Sequence, residues 1–527
     1  MPAPLPRAER RTRTWVAMLL LAAVVLGGWL ASSPTGASPD DDYHLTSIWC
    51  SRGFTEGECL PNPSGPWDRQ TFVPFPVASM SCTAYEPTIS AACQEDVLAR
   101  DPRQLTLGIG GNVGGERAGL YYWAMHVFVS DDYPRAFASI RISNAVVALL
   151  LFAATMAVAA PGLRRAVALV GVVGMLPLGL FLLTSVSTSA WGLAGLGTFW
   201  ANLLTALLPG SRRRRSTAAG LATLGAVLAL GARTEALAHL LLAVPIVLLL
   251  RRAIIGGGNT ARRLRPVPVL IVTGGAAAVL TLAAAFLPTP AVLTSLVGSV
   301  ADGAAEVSER GLGDPWFAVL LEVPQLWAGG LGDRWGLGWL DTPMPSLTSV
   351  LTVGTFVALT SAGLRGAARA RGAAAAVTIV GLVALPAVSL VAAGLVVGEQ
   401  FQPRHYLPAV LLLLGTAVIG DRRSAGLVIG PGGRAVLVTT LMIANAAALH
   451  VTIRRYTAGL TQARTWDLNA DVAWWWPALP APMTTWAVTS LAFAGLAWLV
   501  LGLFVEPQGT PTDPQPTSET APARPTE

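Results

Sequence analysis

Apolar runs rich in Leu, Val, Ala and Gly alternate along the chain with short polar segments in which arginine dominates. Runs of about 15–25 residues cross roughly 30 Å of hydrocarbon as helices, and inside hydrocarbon a helix satisfies its own backbone amides. Their length excludes a membrane barrel, whose strands are about ten residues long and alternate in polarity. The pattern predicts an all-α polytopic membrane protein. Its first span is 15–31, preceded by Arg7, Arg10, Arg11 and Arg13 in a cytoplasmic N-terminus of residues 1–14. A signal peptide cleaved near Ala31 is the competing expectation, but the length of the run and the many later spans favour a retained anchor. Residues 32–135 then form an extracytoplasmic loop, with an interfacial helix where Gly119, Leu120, Tyr121, Tyr122 and Trp123 follow one another.

Residues 136–286 hold the second to seventh spans. The second is expected at 140–160, the third ends near Ser185 and the fourth reaches the arginines at 212–215. Two short runs, 218–230 and 236–250, meet around Arg233 and Glu235, and a seventh follows Arg262, Arg263 and Arg265 and exits at Pro288. A second long outer loop occupies 287–345. Residues 346–505 hold the remaining spans, at 346–363, 373–397, 407–419, 436–449 and 485–504. Arg164, Arg251, Arg365, Arg369, Arg371, Arg422 and Arg423 all fall on the cytoplasmic side of this alternation, giving about twelve spans with both termini inside. Residues 506–527, rich in Pro, Thr and Glu, read as a disordered cytoplasmic tail. The absence of an internal repeat weighs against a transporter built from symmetric halves.

Composition agrees with a bilayer environment: 53% of residues are hydrophobic and 13% charged, against about 25% charged in soluble domains. The net charge of +6 is not a nucleic-acid signal, because the arginines cluster between spans and form no basic stripe interleaved with aromatics. All four cysteines, Cys50, Cys59, Cys82 and Cys93, lie in the first outer loop. An even number in one extracytoplasmic loop points to two disulfides and a small disulfide-tied subdomain. Three pairings are open, and the local one, Cys50 with Cys59 and Cys82 with Cys93, is the expectation. Zinc is disfavoured by the wide spacings and the lack of a CxxC.

Candidate chemistry gathers on the outer side. Asp40, Asp41 and Asp42 follow the first span, with His44 beside them. Adjacent carboxylates raise one another's pKa unless a cation intervenes, which suits general-base work or a metal, although an acidic turn in solvent has the same composition. Arg404 and His405 stand at the outer mouth of a late span, where Arg can grip phosphate and His can move a proton; snorkelling is the bland alternative. Arg233 and Glu235 join two short spans and, if they dip below the headgroups, require partners. Arg141 starts the second span and either faces the same cavity or snorkels. Asp131 and Asp132 cap that helix. Asp341 belongs to a tight turn in the second outer loop, and Glu306, Glu309 and Asp314 read as solvated charges. No Walker A, dinucleotide-binding glycine motif or nucleophile elbow is present, so any donor arrives within the membrane or from outside.

Three islands carry a family resemblance: Asp40-Asp41-Asp42-Tyr43-His44, Gly338-Trp339-Leu340-Asp341-Thr342, and Gln402-Pro403-Arg404-His405-Tyr406-Leu407-Pro408. Together with the span order they resemble the multi-pass bacterial family known as domain of unknown function 2142, DUF2142, grouped with the GT-C glycosyltransferases. That family usually has Glu in the second acidic slot, where this chain has Asp41. The resemblance implies a GT-C-like bundle in the bacterial plasma membrane. It implies transfer of a sugar from a polyprenyl-phosphate donor to a cell-envelope glycan or lipid acceptor, with Asp40 or Asp41 as base or metal ligand and His44 beside them. Arg404, with Arg233, would hold the lipid phosphate, and Asp341, Glu235, His405 and Arg141 complete the expected binding set. A divalent ion at Asp40 and Asp41 is compatible with this chemistry without being demanded by it. Two other readings stay open: an envelope lipid or glycan transporter or flippase, and a non-catalytic assembly subunit that uses the disulfide-tied loop for partner contacts.

Overall fold

The computed structural model describes residues 7–63, 70–101, 104–108, 110–113, 118–256, 315–333, 336–395, 397, 402–460 and 465–505. The expected seventh span, the acids Glu306, Glu309 and Asp314, and the tail 506–527 lie outside these residues.

Helix α1 (Arg7–Ala31) leads into a loop subdomain. Its helices are α2 (Asp41–Trp49), α3 (Phe75–Ser79), α4 (Cys93–Leu98) and α5 (Leu120–Met125). Strands β1 (Leu60–Pro61), β2 (Thr71–Pro74) and β3 (Leu105–Leu107) pair antiparallel in the order β1-β2-β3. A subdomain this small has little core of its own and needs covalent staples. Disulfides join Cys50 to Cys59 and Cys82 to Cys93, the local pairing expected from the sequence. The end of the bundle carrying this subdomain is the loop face.

The bundle continues with α6 (Tyr133–Val158), α7 (Pro161–Leu169), α8 (Leu178–Leu183), α9 (Thr188–Leu207), α10 (Arg212–Ala232) and α11 (Ala236–Ile255). After the undescribed stretch come α12 (Pro315–Gly330), α13 (Ser346–Leu364), α14 (Arg369–Ala392), α15 (Leu407–Val418), α16 (Pro431–Thr457) and α17 (Pro482–Gly502). Among the described residues, eight helices are long and apolar enough to cross a membrane: α1, α6, α10, α11, α13, α14, α16 and α17. About twelve spans are expected from the apolar runs. The third run is broken into α7 and α8 by a π-turn at Val170–Gly174 and by Pro177, and α15 has 12 residues. α9 carries Thr, Ser, Asn and Gly, which lower its hydropathy, and is buried along nearly its whole length.

Several helices outrun the apolar windows. α6 begins at Tyr133, where the Asp132 carboxylate accepts from the Arg135 amide at 3.3 Å as the expected cap. α16 runs on to Thr457 and so carries Arg454 and Arg455 to the loop face. Polar ends hide from a hydropathy window because a helix does not stop where hydrocarbon stops.

Small residues and buried hydrogen bonds set the packing, as expected where lipid competes with apolar side chains. α9 and α10 touch at Gly195 and Gly225; a Cβ on either would come 2.5 Å from the other's carbonyl oxygen. Trp29 Nε1 donates to Asn445 Oδ1 at 3.1 Å, and Asn202 Nδ2 to Thr155 Oγ1 at 2.9 Å. At the face opposite the loops, Arg371 pairs with Asp421 at 2.8 Å.

The glycine contact gives a direct test. Gly225→Leu is expected to destabilise the purified protein by roughly 1–3 kcal/mol or more through overpacking. Gly220→Ala, on the exposed side of the same helix with open space around it, should stay within about 0.5 kcal/mol of wild type. Melting temperatures in detergent measure both.

Candidate functional site

The site begins where α1 hands over to α2. Residues 32–39 form a buried turn, and Asp40 closes it in the left-handed region (φ 65°, ψ 14°) as the N-cap of α2. Asp tolerates this conformation better than most residues. Arg404, 364 residues further on, reaches this turn: it donates to Pro39 O at 2.9 Å and forms a charged hydrogen bond with Asp40 Oδ2. The arginine side chain is 5% exposed and that of Asp40 38%, so the pair joins the interior to the surface.

The neighbouring acids differ in environment. Asp41 is buried, and its Oδ2 accepts from the Gly36 and Ser38 amides at 3.0 and 3.2 Å, while Oδ1 has no hydrogen-bond partner among the described residues. Burial pushes its carboxyl well above the usual range, against those amides and the charge of Arg141. Asp42 accepts from the Tyr43 amide at 2.7 Å and is raised by burial, with Asp40 adding repulsion. His44 points the other way: its Nδ1 lies 3.0 Å from the Tyr122 hydroxyl.

Tyr122 in turn lines a cleft with about 960 Å³ of empty space. Arg233, Thr234, Glu235 and His239 from the α10–α11 turn form one wall, and His405, Tyr406 and Ser389 another. Arg233 Nε donates to Glu235 Oε1 at 2.6 Å, and Arg233 also donates to Ser189 Oγ. His405 Nε2 lies 3.9 Å from Glu235 Oε1. Burial pushes Glu235 upward, yet Arg233 and His405 outweigh it and hold the carboxyl well below its usual range. Burial, then Arg233, push His405 down to about 3, so it is neutral at pH 7. A smaller adjoining cavity is shared by Arg233, Glu235, His239, Arg404 and His405.

The structure thus gathers Asp40, His44, Arg404, His405, Arg233 and Glu235 around one region. Arg141 and Asp341 are placed differently. Arg141 does not snorkel: it is buried and donates to Thr184 O at 2.8 Å, Leu30 O at 2.7 Å and Ser33 Oγ at 3.2 Å, beneath Asp41. Asp341 sits in a tight turn whose ends pair Leu337 with Thr342. Gly338 there takes φ +65°, and a Cβ would fall 2.6 Å from Asp341 Oδ1 and 2.8 Å from the Tyr456 hydroxyl. Trp339 Nε1 donates to Gly36 O at 2.8 Å, docking this turn on the acidic one. Asp341 pairs with Arg455 at 2.9 Å.

Sequence reasoning missed Arg455, Tyr122, Ser389 and His239. Arg455 donates to Thr83 O at 2.7 Å and Glu86 O at 3.0 Å as well as to Asp341, tying three segments together. Its signal was a pair of arginines at the end of an apolar run that the expected alternation places opposite the other arginine clusters. The interfacial reading of α5 also changes, because Tyr121 and Tyr122 are buried in protein and Trp123 is exposed.

Asp40 Oδ2 is committed to Arg404 and Asp41 Oδ2 to two amides. Among the described residues no group of three His, Cys, Asp or Glu side chains could hold an ion.

A family model described as predicted membrane protein (DUF2142) matches residues 19–413, which takes in the acidic turn, the α10–α11 turn, Asp341, Arg404 and His405. No curated protein and no solved structure matches the chain.

Arg455→Ala leaves Asp341 buried without its cation and should cost roughly 3–5 kcal/mol, read as a lower melting temperature. Acid should act through His405. Its pKa is about 3 when folded against 6.5 when free, so the unfolded chain binds the proton first and stability falls as pH drops below 6.5. In His405→Gln the decline in melting temperature from pH 6.5 to about 4.5 should be shallower than in wild type.

Proposed function

The chain belongs to the DUF2142 family of predicted membrane proteins, and we propose that it is a GT-C-type membrane glycosyltransferase. It would transfer a sugar from a polyprenyl-phosphate donor to a cell-envelope glycan or lipid acceptor. On this reading the loop face is extracytoplasmic and the bilayer is the bacterial plasma membrane.

One observation carries the proposal. A single guanidinium, that of Arg404, is bonded to the surface carboxylate of Asp40 and also lines a cavity with Arg233, Glu235 and His405. An acid for the acceptor and cations for a lipid phosphate therefore adjoin at the bundle end, where a lipid headgroup and an external acceptor can meet. Asp40 is the better placed base of the two candidates, because its carboxylate reaches the surface while that of Asp41 is buried. Asp41, buried and bonded to the amides of its own turn, shapes that turn.

The reaction needs few parts. Asp40 takes the proton of the acceptor hydroxyl, whose oxygen attacks the anomeric carbon of the donor sugar. The bond from that carbon to the phosphate oxygen breaks, and its electron pair leaves with the lipid phosphate. Arg404 and Arg233 meet the negative charge that grows there, an electrostatic stabilisation that costs little reorganisation because both guanidinium groups are already positioned.

Asp40→Asn should lower sugar transfer by about 100-fold or more while membrane expression is kept. Asp41→Asn should mainly lower the melting temperature. Transfer is measured as envelope glycan restored to a deletion strain by each variant. Full restoration by Asp40→Asn overturns the assignment of the base, and an unchanged glycan profile in the deletion strain overturns the reading as a whole.

A further inference from the structure

His239 lies on the first turn of α11 and lines both the large cleft and the smaller cavity beside it. Its residue is 7% exposed. The ring Nδ1 sits 3.3 Å from the carbonyl oxygen of Glu235. A carbonyl accepts and never donates, so the proton of the neutral ring is on Nδ1. Nε2 is then a bare lone pair, and it is buried with no hydrogen-bond partner among the described residues. A buried acceptor left unsatisfied is costly, which marks it as awaiting something the cleft receives.

The surroundings indicate what that is. From the α10–α11 turn the ring meets Glu235 and Arg233, which are ion-paired. From the segment before α15 it meets His405, Tyr406 and Arg404, the last of these held by Asp40. Tyr122 faces it from α5; Thr188 and Ser189 of α9 and Ser389 of α14 are neutral. Each arginine is thus already matched by a carboxylate, and His405 is neutral. Among the described residues of its lining no unmatched cation offsets the charge of a phosphate dianion entering this cleft, and the adaptable cation in reach is a protonated imidazole.

We propose that His239 is a phosphate-binding residue which takes up a proton at Nε2 when a phosphate monoester enters the cleft, and then donates that proton in a hydrogen bond to a phosphate oxygen. This rests on the transferase reading only for the identity of the monoester, which there is the spent lipid phosphate. The donor, a phosphodiester, carries one negative charge, whereas the released monoester carries up to two. The cleft would hold the product more firmly than the donor, and more so at low pH.

The test is proton uptake on binding, measured with the full-length protein in detergent by calorimetry in two buffers of different ionisation enthalpy. Decyl phosphate serves as probe at pH 8, where it is already a dianion because its second pKa is near 6. Wild type should take up close to one proton per phosphate bound. His239→Asn keeps an amide donor for Glu235 O and removes Nε2; it should take up almost none and bind more weakly. If that variant does not fold, His239→Gln, which fills the site with a group that cannot titrate, is read in the same way. His405→Gln should keep the uptake. Loss of uptake in His405→Gln with its retention in the His239 variant overturns the assignment, as does binding by wild type without uptake. Inorganic phosphate run alongside separates the sources: uptake with decyl phosphate alone supports a lipid ester, and equal uptake with both supports phosphate as such. Sugar transfer plays no part in this readout, so its failure and that of the transferase reading are seen separately.

Discussion

A guanidinium buried in an apolar bundle has to find oxygen, and this requirement governs how the chain is put together. Arg141, Arg404 and Arg455 are each almost wholly buried, and each donates to carbonyl oxygens in the N-terminal third of the protein. Arg141 ties α6 to the end of α1 and to the Thr184 turn. Arg404 carries the start of α15 to the acidic turn, and Arg455 carries the end of α16 to residues 83–89 and to Asp341. Arginine suits this task because its five donors are fixed in a plane and its charge is never lost. All but the Arg141–Thr184 contact span a hundred residues or more, so these polar anchors, together with a shared apolar core, hold the loop subdomain to the bundle.

The same anchors shape the site. Because Arg404 grips both the Pro39 carbonyl and Asp40, the acidic turn cannot leave the cleft region without stranding a buried charge. Trp339 adds a second hold through Gly36, and Asp41 closes the turn from within. Three adjacent carboxylates that look equivalent in sequence thereby receive different work. Asp40 is surface-accessible and charge-matched, Asp41 is buried among amides, and Asp42 bonds to the amide of the next residue. Environment distinguishes them, as it does for any pair of like titratable groups.

Electrostatic matching inside the cleft follows from the same economy. Arg233 and Glu235 are close in sequence because they belong to one tight turn between two helices, and they neutralise each other there. His405 beside them is neutral at pH 7.

Much of the architecture was legible in the sequence by itself, because hydrocarbon imposes its demands locally. The apolar runs marked most helices, the arginine clusters marked the turns, and four cysteines in one loop foretold two short-range disulfides. The acids, Arg404 and the Arg233–Glu235 turn were also visible as candidates, since charge at a membrane boundary is conspicuous. The break between α7 and α8, the extension of α16 and the roles of Arg455 and His239 were not visible. Arg455 and His239 depend on partners far away in the chain: Arg455 on carbonyls 372 residues back, His239 on a cleft whose opposite wall comes from beyond α14. Periodicity and composition report what a segment needs from its solvent. Which carboxylate meets which guanidinium, and which nitrogen is left without a partner, is decided only when distant segments pack.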